Sequence, residues 1–154
     1  MATFMQDVRD EVTALVISAI TDATSTNTMQ SITAARENIF EKVQAGDRVL
    51  PLYIVDAATF NEDPDWSVDS DSYRCPLRVT ILRYQDETDS QIIMQEELNL
   101  FRVAMESGRT NFDVVERGSI DSGPDEEAMS PIIDLGLNFV AASLYYDSGI
   151  LCIA

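Results

Sequence analysis

Five carboxylates, Glu62, Asp63, Asp65, Asp69 and Asp71, surround Trp66, the chain's single tryptophan, in the stretch NEDPDWSVDSDSY. Spaced aspartates suit calcium, so the stretch is first a candidate metal loop. The EF-hand template fails in two registers. Started at Asp63, it puts Val68 where the turn glycine belongs and Arg74 where the bidentate glutamate belongs. Started at Asp69, it puts Arg74 at the glycine position. An irregular calcium loop stays open as an alternative, and a solvated acidic loop is the plainer reading. Paired carboxylates can also act as general acid and base when one is buried and its pKa raised. Acids in polar, proline-containing loops are ordinarily exposed and unperturbed. A second cluster, Asp125, Glu126 and Glu127, lies in the Gly/Pro-punctuated stretch RGSIDSGPDEEAMSP.

Other reactions lack their residues. The chain has no histidine, which removes Ser-His-Asp, Cys-His and histidine-based metal chemistry. No Gly-rich phosphate loop, GxSxG elbow or CxxC is present. No catalytic, cofactor-binding or metal-ligating residue is assigned, no cofactor is expected, and the expected protein is not an enzyme. Asp and Glu number 27 against 10 Lys and Arg, a formal charge of -17. That charge opposes binding to nucleic acid backbones and anionic membranes, both of which need cationic patches. Cys75 and Cys152 are expected as free thiols in a reducing compartment. Acids within the first 20 residues (Asp7, Asp10, Glu11) match neither a secretory nor a transit peptide, and no apolar run is long enough to span a bilayer. A soluble protein made in a cytoplasm is expected.

These residues need a scaffold, and 154 residues at 45% hydrophobic suffice for one domain with a proper core, taken as residues 1–154. Phe4, Val8, Val12, Leu15, Val16 and Ala19 recur at spacings of three and four, which predicts an amphipathic helix over 4–22 capped by Thr3. The Ser/Thr/Asn-rich ATSTNTMQSIT then reads as a mobile connector. Residues 29–43 are ambiguous, with a weak helical pattern in SITAARENIFEKV, and Gly46-Asp47 then marks a stop. RVLPLYIVDAA reads as a strand, with Pro51 at its start or on a sheet edge. In SYRCPLRVTILRYQ, Tyr73, Cys75, Leu77, Val79 and Ile81 share one face while Arg74, Arg78 and Thr80 share the other. Thr88 to Gln91 has capping-box spacing, and Ile93, Met94, Leu98, Phe101, Ala104 and Met105 form the core stripe of a second helix ended by Gly108. Residues 112–115 read as a short strand, and IIDLGLNFVAASLYYD as a long one with Leu135, Leu137, Phe139 and Ala141 on one side. The expected class is α+β: one mostly antiparallel, mixed sheet of about four strands with two main amphipathic helices on one face.

Three features point to contacts between chains. Trp66 either folds back on the core or anchors an interface. The tail, with Ile150, Leu151 and Ile153, either ends the last strand or augments a neighbour's sheet edge. Arg74, Arg78 and Arg83, read as an outer face of the main strand, are candidates to pair with a neighbour's loop acids, against ordinary surface solvation.

The element order resembles the tail terminator proteins of long-tailed bacteriophages. It is carried by an N-terminal amphipathic helix, a strand pair joined by a long loop, SYRCPLRVTILRY leading into SQIIMQEELNLFRVAME, then FDVV, a long loop and LNFVAASLYYDSG, from about residue 4 to 148. It rests on arrangement and length and includes no diagnostic motif. The Ser/Thr-rich stretch 24–33 and the strongly acidic balance depart from it. The resemblance implies a virion protein assembled in the host cytoplasm, a homo-oligomeric ring, typically a hexamer. That ring caps the tail tube, stops its polymerisation and meets the head-side connector or stopper protein. Genomic DNA would pass an acidic lumen without specific binding, because carboxylates repel phosphates. Other neck, head-completion or tail tube proteins of such a virion are the alternative, and a small acidic metal-binding module a more distant one.

Overall fold

A computed structural model of the chain describes residues 4–30, 51–57, 60–62, 72–84, 90–107, 112–114, 118–121 and 139–153. The first helix, α1 (Phe4–Ala19), follows the apolar spacing: Val8, Val12 and Val16 are fully buried, as is Ile20 just past its end. Full burial of such side chains contributes about 1.5–3 kcal/mol each, which fixes this face to the sheet. The opposite face carries Asp7, Asp10 and Ser18 in solvent.

The Ser/Thr/Asn stretch behaves as its side chains dictate, up to a point. The Thr24 amide donates to Asn27 Oδ1 at 2.7 Å and Asn27 Nδ2 donates to the Asp22 carbonyl at 2.9 Å, so side chains bond the turn that reverses the chain. Its continuation is a strand, β1 (Thr28–Gln30), where a connector was expected. β1 runs parallel to β2 (Leu52–Asp56) with Thr28 opposite Tyr53. Pro51 directly precedes β2, so it marks a strand start; β2 itself lies between β1 and β4 and is no edge. The weak helical pattern of 31–43 lies outside the described residues, as do Thr3 and the cap positions 88–89.

Two long strands form the spine: β4 (Ser72–Tyr84) and β7 (Phe139–Ile153), antiparallel along their whole length. Their register shifts once. Cys75 faces Ile150 while Leu77 faces Tyr146, so Asp147, Ser148 and Gly149 stand opposite the lone Pro76. Proline has no amide hydrogen for a ladder, and a bulge is where a central strand tolerates it. Gly149 makes the bulge passable, with φ 85° and a backbone so close to β4 that a Cβ would lie 2.9 Å from the Cys75 carbonyl carbon and oxygen.

The bulge divides the sheet. On one side of it the strand order is β1-β2-β4-β7, with β6 (Ser119–Asp121) on the far flank of β7. On the other side β3 (Asn61–Glu62) pairs β4, and β5 (Phe112–Val114) pairs the end of β7. The expected class holds as α+β with a mixed sheet, but the strand number does not: among the described residues the sheet has seven strands, where about four were expected. β1, β3 and β6 were the ones missed. Two or three residues are too few to display a period of two, and their pairing is set by distant partners.

The second helix, α2 (Ser90–Ser107), lies with α1 on one face of the sheet. Met94, Leu98, Phe101 and Met105 are fully buried, and they meet Tyr53, Val55, Cys75, Leu77, Val79, Ile81, Leu144 and Tyr146 from the strands. On the other face, the cross-strand partners Leu52 and Leu82 are buried as well, and Thr80 and Ser143 share a hydroxyl hydrogen bond at 2.9 Å.

Candidate functional site

Two of the charged side chains among the described residues, Arg83 and Glu97, are buried inside the molecule. Arg83 continues the core-facing phase of β4 (Cys75, Leu77, Val79, Ile81), and Glu97 lies in the buried stripe of α2 between Met94 and Phe101. Arg83 donates to Glu97 Oε1 through Nε at 3.1 Å and through a terminal nitrogen at 2.7 Å. The same terminal nitrogen lies 3.2 Å from the Tyr53 hydroxyl and 3.2 Å from Asp22 Oδ2. Tyr53 in turn donates to Glu97 Oε2 at 2.5 Å. One residue each from the turn after α1, from β2, from β4 and from α2 is thereby joined.

The electrostatics follow from burial. Tyr53 is fully buried, and loss of water, then the hydrogen bond to Glu97 and its charge, raise the phenol above its ordinary value, so it stays a neutral donor. Burial alone would weaken the Arg83 charge. The hydrogen bonds to Glu97 and that residue's charge, with help from Tyr53 and Asp22, outweigh it and raise the guanidinium instead. Every acceptor and donor of the pair that burial strips of water finds a partner, the condition under which a buried ion pair is tolerated. Neither raised group exchanges a proton near neutral pH, so the arrangement works as a clasp between helices and sheet.

A second set ties α1 to the sheet from outside. Arg9 Nε donates to the Ala57 carbonyl at 2.8 Å and its guanidinium lies 5.2 Å from the Phe60 ring centre. Gln30 Nε2 donates to Asp10 Oδ1 at 2.9 Å, and that bond, followed by one from Gln6, holds the Asp10 carboxyl below its ordinary value.

The sequence-derived interface residues fare differently from one another. Asp63, Asp65, Trp66, Asp69 and Asp71 lie outside the described residues, as do Asp125, Glu126 and Glu127. The ends of the first acidic stretch are described: Asn61 faces Arg74 and Glu62 faces Tyr73 in antiparallel register, so residues 63–71 join two paired strands. Arg74 and Arg78 are half-buried on the sheet face away from the helices. Arg78 stands 4.7 Å over the Tyr145 ring and opposite Asp56 of β2.

Arg83 does not share their face. It points into the core and is 5% exposed, so the outer-face assignment is corrected. The tail takes the first of its two readings, the end of the last strand, and not that of a strand added to a neighbour. Ile150 and Leu151 are fully buried, and β7 is paired there by β4 on one side (Ser72 with Ile153) and by β5 on the other (Val114 with Ile150). A strand flanked on both sides has no edge to offer a neighbour. Cys75 and Cys152 are free, buried thiols.

The clasp was missed although two signals marked it: a cation in phase with a buried strand face, and an anion inside a helix's apolar stripe. No three His, Cys, Asp or Glu side chains gather as a metal-ligand set among the described residues, and no helix among them is long and apolar enough to cross a membrane. No protein-family model matches the chain, and no curated protein matches it. Geometry therefore defines the class: an α+β fold whose mixed sheet is divided at the bulge between Pro76 and Gly149 and clasped to two helices.

Proposed function

We propose that the chain is a tail terminator of a long-tailed bacteriophage, a virion protein that assembles as a ring on the tail tube, ends its growth and joins it to the head-side connector. The observation that carries this reading is the mounting of the acidic stretch. Residues 63–71 spring from the β3–β4 pair, and β4 is the spine strand held by β7 along its length and clasped to α2 through Arg83. A strongly acidic segment on so firm a base suits a surface that faces DNA without retaining it, since carboxylates repel phosphates. The order of helix, strands, helix and long closing strand is also the arrangement on which the resemblance to tail terminators rests.

Copies carrying -17 each repel one another, so a ring requires apolar and charge-paired contacts between subunits. Light scattering of the concentrated chain, with electron microscopy after addition of tail tubes, tests the reading. Rings on tube ends are expected. A monomer at every concentration, together with bare tube ends, would refute it.

A further inference from the structure

The apolar surface of α2 is wider than its own fold uses. At about 100° per residue, Ile92, Val103, Leu100, Ile93, Ala104, Phe101, Met94, Met105 and Leu98 sweep an arc of about 240°, whereas packing on a core needs only about 100°. The chain buries the far part of that arc. Ile92, Leu100 and Val103 are left 56%, 54% and 56% exposed. Glu96 lies among them, exposed and without a hydrogen bond or ion pair among the described residues, and exposed Gln95 and Glu106 border the row.

We propose that this face of α2 docks a segment of another protein that is apolar along one side and flanked by Lys or Arg, such as a cationic amphipathic helix. Charge selects the occupant. Covering the row takes Glu96 out of water, and a carboxylate so covered needs a cation. The described residues of a second copy have little to give. Among its described cations Arg83 is buried, Arg9 is bonded to Ala57, Arg74 and Arg78 stand on the sheet face away from α2, and Arg102 is engaged by Asn99 Oδ1 and the Gly118 carbonyl. It also brings a further charge of -17. Docking here rests on α2 alone and not on the acidic stretches behind the ring reading.

The test uses the full chain and a fluorescein-labelled leucine–lysine peptide that forms an amphipathic helix, read by anisotropy. Its control is a scramble of the same composition with no apolar side. The amphipathic peptide is expected to bind about tenfold tighter than the scramble, and Leu100→Lys and Val103→Lys each to lose about tenfold with unchanged far-UV circular dichroism. Thr21→Lys, which adds the same charge at an exposed site off this face, is expected to bind as the parent does. Equal binding of the scramble, or Leu100→Lys binding no worse than Thr21→Lys, overturns the proposal. So does light scattering that finds a dimer dissolved by Leu100→Lys, because the face then belongs to a second copy.

Discussion

Methionine at position 83 would keep most of the side chain's aliphatic stem and remove the guanidinium from between Glu97 and Tyr53. Arg83 is 5% exposed and Glu97 8% exposed, so the substitution leaves a carboxylate desolvated and unpaired. Removing one partner of a buried pair costs about 3–5 kcal/mol, a large share of the roughly 5–15 kcal/mol that holds an ordinary domain. The Asp22 leg is different. Its side chain is 62% exposed, so solvent screens the contact and Asp22→Asn should cost no more than about 1 kcal/mol. Replacing both buried charges, as Arg83→Met with Glu97→Leu, should recover most of the loss. About 1–3 kcal/mol would remain because the Tyr53 hydroxyl then lacks its partners, and Tyr53→Phe should remove that residue of the cost. Urea unfolding followed by far-UV circular dichroism measures the parent and each variant, and with the Glu97→Leu single variant added the double-mutant cycle gives the coupling. If Arg83→Met costs no more than Asp22→Asn, or the double variant is no better than the single one, the clasp is not a desolvated pair and the reasoning fails.

Gly149→Ala should destabilise the chain by about 1–3 kcal/mol, since φ there is 85° and the new methyl would press on the Cys75 backbone; the urea midpoint reads it. Deleting residues 150–154 should abolish cooperative thermal unfolding, because Ile150, Leu151 and Cys152 are fully buried between β4 and β5. A truncated chain that melts like the parent would show that the tail is dispensable. Burial pushes the Cys75 thiol up to about 12, Asp56 adding to the effect and Arg9 opposing it, and burial, Cys75 and Glu11 push Cys152 up to about 12. A thiol reagent at pH 8 should therefore label neither until urea unfolds the protein. Both folded values are raised above the unfolded value of 9.0, so the associated stability is complete below pH 9.0 and lost as pH climbs toward about 12. Unchanged urea midpoints across that window would contradict it.

Long periodic segments were legible in the sequence. The three-and-four spacing of α1 and α2 and the alternation of β4 depend on nothing beyond their own residues, because burial of one face repeats with the backbone period. Phe112–Val114 was legible as a short strand, but three other short strands were not. Thr28–Gln30, Asn61–Glu62 and Ser119–Asp121 become strands because β2, β4 and β7 pass beside them. Pro76 and Gly149 illustrate the same limit, since neither is unusual alone and together they make the bulge at which the sheet divides.

What the sequence alone determined is the charge, the absence of histidine, the α+β class and the main apolar faces, all properties of composition and local period. Tertiary structure alone decided where the isolated charges and the tail belong. Arg83 and Glu97 are 14 residues apart and Tyr53 a further 30 from Arg83, so only the packing of α2 on the sheet brings them within hydrogen-bond distance. Ile150 and Leu151 are apolar whatever they touch. They are core and not an adhesive edge because β5 closes the far side of β7, a pairing between residues 112–114 and 150–152 that no local pattern contains.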